Sequence, residues 1–186
     1  MTTFVMYAAA IISVAIVIFM LIKKMDIKIR TVKPEDLDLV TAVEAECFPA
    51  AEAATKEEFA ERIKYYGNHF WLMFEGEKLI AFVDGFVTDK PDLTDEMYER
   101  AEMHDENGAW QMIFGVNTIP AYRKHGYAGQ LLQCAIEDAR KQGRKGLVLT
   151  CKEKLIAYYA KFGFENEGIS ESVHGNVIWY QMRYKF

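Results

Sequence analysis

The stretch from Ala109 to Cys151 constrains the fold more than any other part of the chain. AWQMIFGVNT (109–118) is apolar throughout and predicts a buried strand. IPAYRKHG follows as a loop. Beyond it Leu131, Leu132, Ala135, Ile136 and Ala139 recur at helical spacing, and Gly143 ends that helix. KGLVLTC (145–151) is a second fully apolar strand. A strand, a loop, a helix and another strand in this order point to an α/β chain. The loop is also a candidate anion site. Its amides and the unpaired first N–H groups of the helix face the same way, where the helix end carries partial positive charge. Gly126 and Ala128 let the backbone approach a ligand, and Arg123 and Lys124 add charge. The spacing matches neither a Walker loop nor a dinucleotide fingerprint.

The remainder fits around this unit. Residues 26–32 alternate as a strand. Pro34 opens a helix to about Cys47, with Leu37, Val40, Val43 and Ala45 as its apolar face. Thr55 and Glu58 form a capping box for a helix over 56–66. Strands at 69–75 and 79–88 meet at a turn holding Gly76. A short helix is expected around 94–103, another in KLIAYYAKF, and two last strands near 164–169 and 176–184.

Phe4 to Ile22 contains no charged residue, and Lys23 and Lys24 follow at once. As a helix it spans about 28 Å, close to the hydrocarbon thickness of a bilayer. The expectation is a single-pass membrane anchor (1–25) with the domain (26–186) in the cytoplasm. A buried core helix, or a translation start at Met25, are the other readings. The net charge of −5 argues against a nucleic-acid binder. Cys47, Cys134 and Cys151 are odd in number and show no zinc spacing, so no metal is expected.

RKHGYA (123–128) fits the Arg/Gln-x-x-Gly-x-Gly/Ala signature of the GNAT superfamily of N-acetyltransferases. CFPAAEAA (47–54), YYAKFGF (158–164) and SESVHGNVIW (170–179) resemble the arylalkylamine (serotonin-type) branch, and the element order agrees over 26–186. The resemblance implies a central, mostly antiparallel mixed sheet flanked by helices. It implies acetyl-CoA as co-substrate, its pyrophosphate held by the amides of Lys124, His125, Gly126, Tyr127, Ala128 and Gly129, with Arg123 opening the motif. Val116, Asn117 and Thr118 would bond the pantetheine arm. Tyr159 would be the general acid that protonates the departing thiolate.

The two strand histidines of that branch fall at Met112 and Phe114, which cannot accept a proton. Glu52 and His174 are the replacement candidates for the base. His125 is assigned to the phosphate loop, and His69 and His104 receive no role. Phe48, Pro49, Trp71, Phe82, Phe86 and Trp110 supply aromatic and apolar surface, some of it for the acceptor. The stretch Asp89 to Glu106 holds eight Asp or Glu and could draw in a cationic acceptor. The expected function is N-acetylation of a small primary amine. A protein lysine or N-terminal acetyltransferase and a non-catalytic acyl-CoA sensor are the alternatives.

Overall fold

A computed structural model describes residues 26–186. The expected anchor lies outside the described residues. Among those described, no helix is long and apolar enough to cross a membrane. The elements are β1 (Ile27–Thr31), α1 (Leu37–Cys47), α2 (Lys56–Tyr66), β2 (Phe70–Glu75), β3 (Lys78–Asp84), β4 (Val87–Thr88), α3 (Glu96–Glu99), β5 (Trp110–Ile113), β6 (Gly115–Thr118), α4 (Tyr127–Lys141), β7 (Gly146–Cys151), α5 (Ile156–Ala160), β8 (Glu165–Ile169) and β9 (Tyr180–Lys185). The α2 capping box forms as expected: Thr55 Oγ1 accepts from Glu58 N–H at 3.2 Å, and Glu58 accepts from Thr55 N–H at 2.6 Å. The short helix expected over 94–103 is α3 followed by a separate 3-10 turn, Ala101–Met103.

The two long strands read from the sequence both break. Residues 79–88 become β3 and β4, and 109–118 become β5 and β6. The partners bend together, so β6 joins β3 in a sheet ordered β1-β2-β3-β6, while β5 enters another ordered β4-β5-β7-β9-β8. Gly85 sits at the bend, where a Cβ would lie 1.8 Å from the Met112 carbonyl oxygen. No larger residue fits that crossing. All pairings are antiparallel except β5 with β7, which ends at Ile113 opposite Leu149. Beyond that pair β6 and β7 part company. Among the described residues the outer edge of β6 has no strand partner, and a wedge opens between the sheets.

The α4 face packs as its spacing dictates: Leu131, Leu132, Ala135, Ile136 and Ala139 are all buried against the first sheet and β7. Each large aliphatic chain so removed from water stabilises the fold by about 1.5–3 kcal/mol. On α1 the expectation fails at one position. Ala45 is exposed and Glu44 is buried in its place. Glu44 is four residues from Val40 and seven from Leu37, so a helix of 3.6 residues per turn brings it onto the same stripe.

Candidate active site

The wedge is a continuous cleft. Its outer part, about 630 Å³, is lined by Val116, Asn117 and Thr118 along β6, by Tyr122, Arg123, Lys124, Gly126, Tyr127 and Ala128 but not His125 in the loop, and by Tyr158 and Tyr159 of α5. The loop is shaped by backbone conformation as much as by charge. Gly126 caps α4 at φ +83°, and Lys124 also takes a left-handed φ of +68°. The first turn bond of α4 runs from Gln130 N–H to Gly126 C=O at 3.0 Å. The preceding amides therefore stay available to an external acceptor. The Arg123 side chain works differently from the free charge expected. Its Nε donates to the Thr118 carbonyl at 3.0 Å, buckling the loop to the end of β6. His125 Nδ1 lies 2.9 Å from the Arg123 carbonyl, and its ring stacks on Tyr127.

The inner part, about 200 Å³, holds the groups the sequence reading missed. Glu44 lines it, with Oε1 accepting from Ala54 N–H at 3.1 Å and Oε2 from Asn117 Nδ2 at 2.8 Å. Burial dominates over those bonds and pushes its carboxyl from 4.5 up to about 7. Behind it Arg62 reaches Asp84 at 3.0 Å and the Tyr98 carbonyl at 3.1 Å, both side chains almost fully buried. Asn117 Oδ1 and Asp84 Oδ1 are buried with no hydrogen-bond partner among the described residues. A carboxylate on an otherwise apolar helix stripe was the signal available in the sequence for Glu44. Nothing local marked Arg62 or Asp84, which meet across 22 residues of chain.

Phe48, Tyr98, Phe114 and Trp179 form the aromatic walls of this chamber. Trp71, Phe82 and Phe86 are core residues instead. Of the two positions at which the related branch carries histidines, Phe114 faces the chamber and Met112 is packed in a core cluster with Phe86 and Val148.

Tyr159 lines both parts of the cleft and is itself buried. Burial, then the neighbouring Cys151 and Tyr158, push its hydroxyl well above the ordinary tyrosine range. It therefore keeps its proton at neutral pH and can donate it. Glu52 and His174 both border the chamber, as the sequence reading had them. Glu52 is held by Lys152 at 2.8 Å, and His174 stacks on Tyr98 with its Nε2 3.2 Å from the Glu52 carbonyl.

His69 and His104, given no role from sequence, come together with Glu106 at 2.9 and 3.3 Å. Gln111 donates its amide to the Phe86 and Met112 carbonyls, so its oxygen faces His69 Nδ1 at 2.8 Å, which must donate. His104 Nδ1 accepts from Val87 N–H at 3.1 Å, so the ring hydrogen is on Nε2, toward Glu106. Arg144 holds the other Glu106 oxygen at 2.7 Å. With His104 committed and a guanidinium adjacent, the trio suits an ion-paired clasp on the 89–108 segment better than a metal.

The sequence model described as Acetyltransferase (GNAT) family matches residues 37–164. A serotonin N-acetyltransferase from Mesocricetus auratus is 24% identical over 163 residues, 83% of this chain and 75% of that protein. Among solved structures, the loading GNATL domain of CurA from Lyngbya majuscula superposes with a TM-score of 0.75 at 17% identity, covering 86% of this chain and 97% of that one. The GphF GNAT-like decarboxylase in complex with isobutyryl-CoA gives a TM-score of 0.73 at 22% identity, covering 85% and 98%. At these identities the structures establish the shared fold.

Proposed function

The chain belongs to the GNAT acetyltransferase family, an acyl-CoA-dependent enzyme family, and from that premise we propose that it transfers an acetyl group from acetyl-CoA to a small primary amine. The observation that carries this reading is the junction at Tyr159. There a cleft with open loop amides and a strand edge unpaired among the described residues meets a smaller chamber holding a carboxyl poised near neutral pH.

In this reading the amides of 124–129 hold the pyrophosphate and the outer edge of β6 (116–118) holds the pantetheine arm. The acceptor enters the chamber as an ammonium ion. Glu44 takes its proton, which a carboxyl poised near pH 7 does efficiently. The neutral nitrogen attacks the thioester carbon, a C–N bond forms, and collapse breaks the C–S bond. The thiolate leaves with the proton of Tyr159, the acylated nitrogen sheds its second proton to water, and Tyr159 regains one from water, so the amide and the free thiol are both neutral products. Glu44 replaces Glu52 and His174 as the preferred base, since Glu52 already has a cationic partner in Lys152. Carboxylates beside aromatic walls suit an amine with an apolar or aromatic body. The reading includes the membrane tether at residues 4–22, with the domain on the cytoplasmic side.

The test is turnover. The full-length chain is mixed with acetyl-CoA and a panel of arylalkylamines, alkylamines and lysine peptides, and free thiol is followed. Release with small amines supports the proposal, and a preference for peptides selects the protein acetyltransferase. Coenzyme A binding with no turnover on any acceptor would leave only the sensor.

A further inference from the structure

Strand register gathers the loops of the cleft and the start of the domain at one end of the molecule. β7 finishes at Cys151 opposite Tyr180, where β9 begins, and Tyr180 lies opposite Ile169, where β8 finishes. β6 runs in the same direction and finishes at Thr118, opposite Ala81. Past that level lies the β2–β3 turn, whose Gly76 N–H donates to the Asp26 carbonyl at 3.1 Å. The Tyr122 hydroxyl donates to Glu75 and fastens the phosphate loop to the same turn. Asp26 therefore shares an end with 119–126, 152–155 and 170–179.

That end also carries the most exposed large apolar side chains among the described residues: Val173 at 75%, Ile169 at 70% and Ile178 at 64%. Val173 and Ile178 stand on the loop 170–179 and Ile169 ends the strand that leads into it, so three large apolar side chains are left in water at this end. Lys23 to Met25 alone separate the uncharged segment 4–22 from Asp26. At about 3.5 Å per extended residue, the four steps from Ile22 to Asp26 span no more than about 14 Å.

We propose that this end docks on a lipid surface, with Ile169, Val173 and Ile178 buried at the boundary between headgroups and acyl chains. The inference rests on the membrane tether in the reading above. Exposed Lys78, Arg123, Lys124 and Lys154 stand there among exposed Asp26, Glu77, Glu153 and Glu171, so the charges balance and the contact is apolar and not electrostatic. The same loop supplies His174 and Trp179 to the acceptor chamber. Docking thus sets the mouth of that chamber at the interface, where amphiphilic amines concentrate.

The experiment reconstitutes the full-length chain in phosphatidylcholine vesicles, with or without bromine on the acyl chains near the headgroup. Trp71 is buried in the core, and Trp110 begins β5 at the opposite end, beside Gly146. Brominated lipid is expected to quench a tryptophan component that disappears in Trp179→Phe and persists at high salt. In the combined variant Ile169→Ser, Val173→Ser, Ile178→Ser, amides 169–179 are expected to exchange about tenfold faster than in the parent on vesicles. A chain that floats with the vesicles but shows equal emission in both lipids overturns docking and leaves the tether standing. A chain that does not float overturns both. Loop protection that rises with protein density, and not with lipid, gives the face to a second copy and also overturns docking.

Discussion

Replacing Glu44 by glutamine should make the protein more stable above neutrality while removing its activity. Glu44 is 6% exposed and its carboxyl sits near pH 7, against 4.5 when free of the fold. Between those values the folded chain holds a proton that the unfolded chain has released. The folded state binds more protons, so stability falls as pH rises from about 4.5 and levels off above about 7. Lifting the carboxyl this far is worth about 3 kcal/mol as an upper bound, at about 1.4 kcal/mol per tenfold change in protonation. Glu44→Gln keeps the volume and cannot ionise. Its amide can donate to the Asn117 oxygen, which is buried without a partner, if the Asn117 amide turns over. The bond from Ala54 N–H is retained on the remaining oxygen. The variant should therefore match the parent near pH 4.5 and exceed it by about 2–3 kcal/mol at pH 8. For a chain of this size that raises Tm by about 5–10 °C. Urea melts at a series of pH values read the difference directly. A variant less stable than the parent at pH 8 would refute the argument that burial dominates Glu44. If the variant turned over as fast as the parent, the stability argument could survive but the base assignment would not.

Four further outcomes are expected. The parent's kcat/KM should climb with pH through about 7 as Glu44 loses its proton, and this limb should be missing from the residual rate of Glu44→Gln, as a pH–rate profile will show. Tyr159→Phe should leave the coenzyme A Kd within about twofold and lower kcat by about 10²–10⁴; thiol release and calorimetry separate the two. Gly126→Val puts a β-branched residue at φ +83°, where the strain is about 1–2 kcal/mol, so coenzyme A should bind about tenfold more weakly in calorimetry. Asp84→Ala removes the partner of a buried guanidinium and should cost about 3–5 kcal/mol, visible as a lowered urea midpoint.

Much of the architecture was legible because it is local. The helix at 56–66, its capping box, the α4 stripe and the glycine at the α4 start follow from period and backbone chemistry. The shape of the loop at 123–129 was legible for the same reason, since it is set by contiguous residues. Glu52, His174 and Tyr159, singled out from the sequence, all border the cleft. What stayed hidden depends on contacts between distant residues. The break of 79–88 and 109–118 into two sheets is set where Gly85 crosses Met112, and no pattern within either strand announces it. The clasp of His69, His104, Glu106 and Arg144 assembles only on folding.

The sequence alone determined the order of elements and the anion loop, because hydrogen bonds between near neighbours and hydrophobic periodicity need no partner to be read. Tertiary structure decided which carboxyl is poised near neutral pH. The packing of α1 against β6 and Asn117 withdraws Glu44 from water far enough to set it near pH 7, and no local pattern announces that contact.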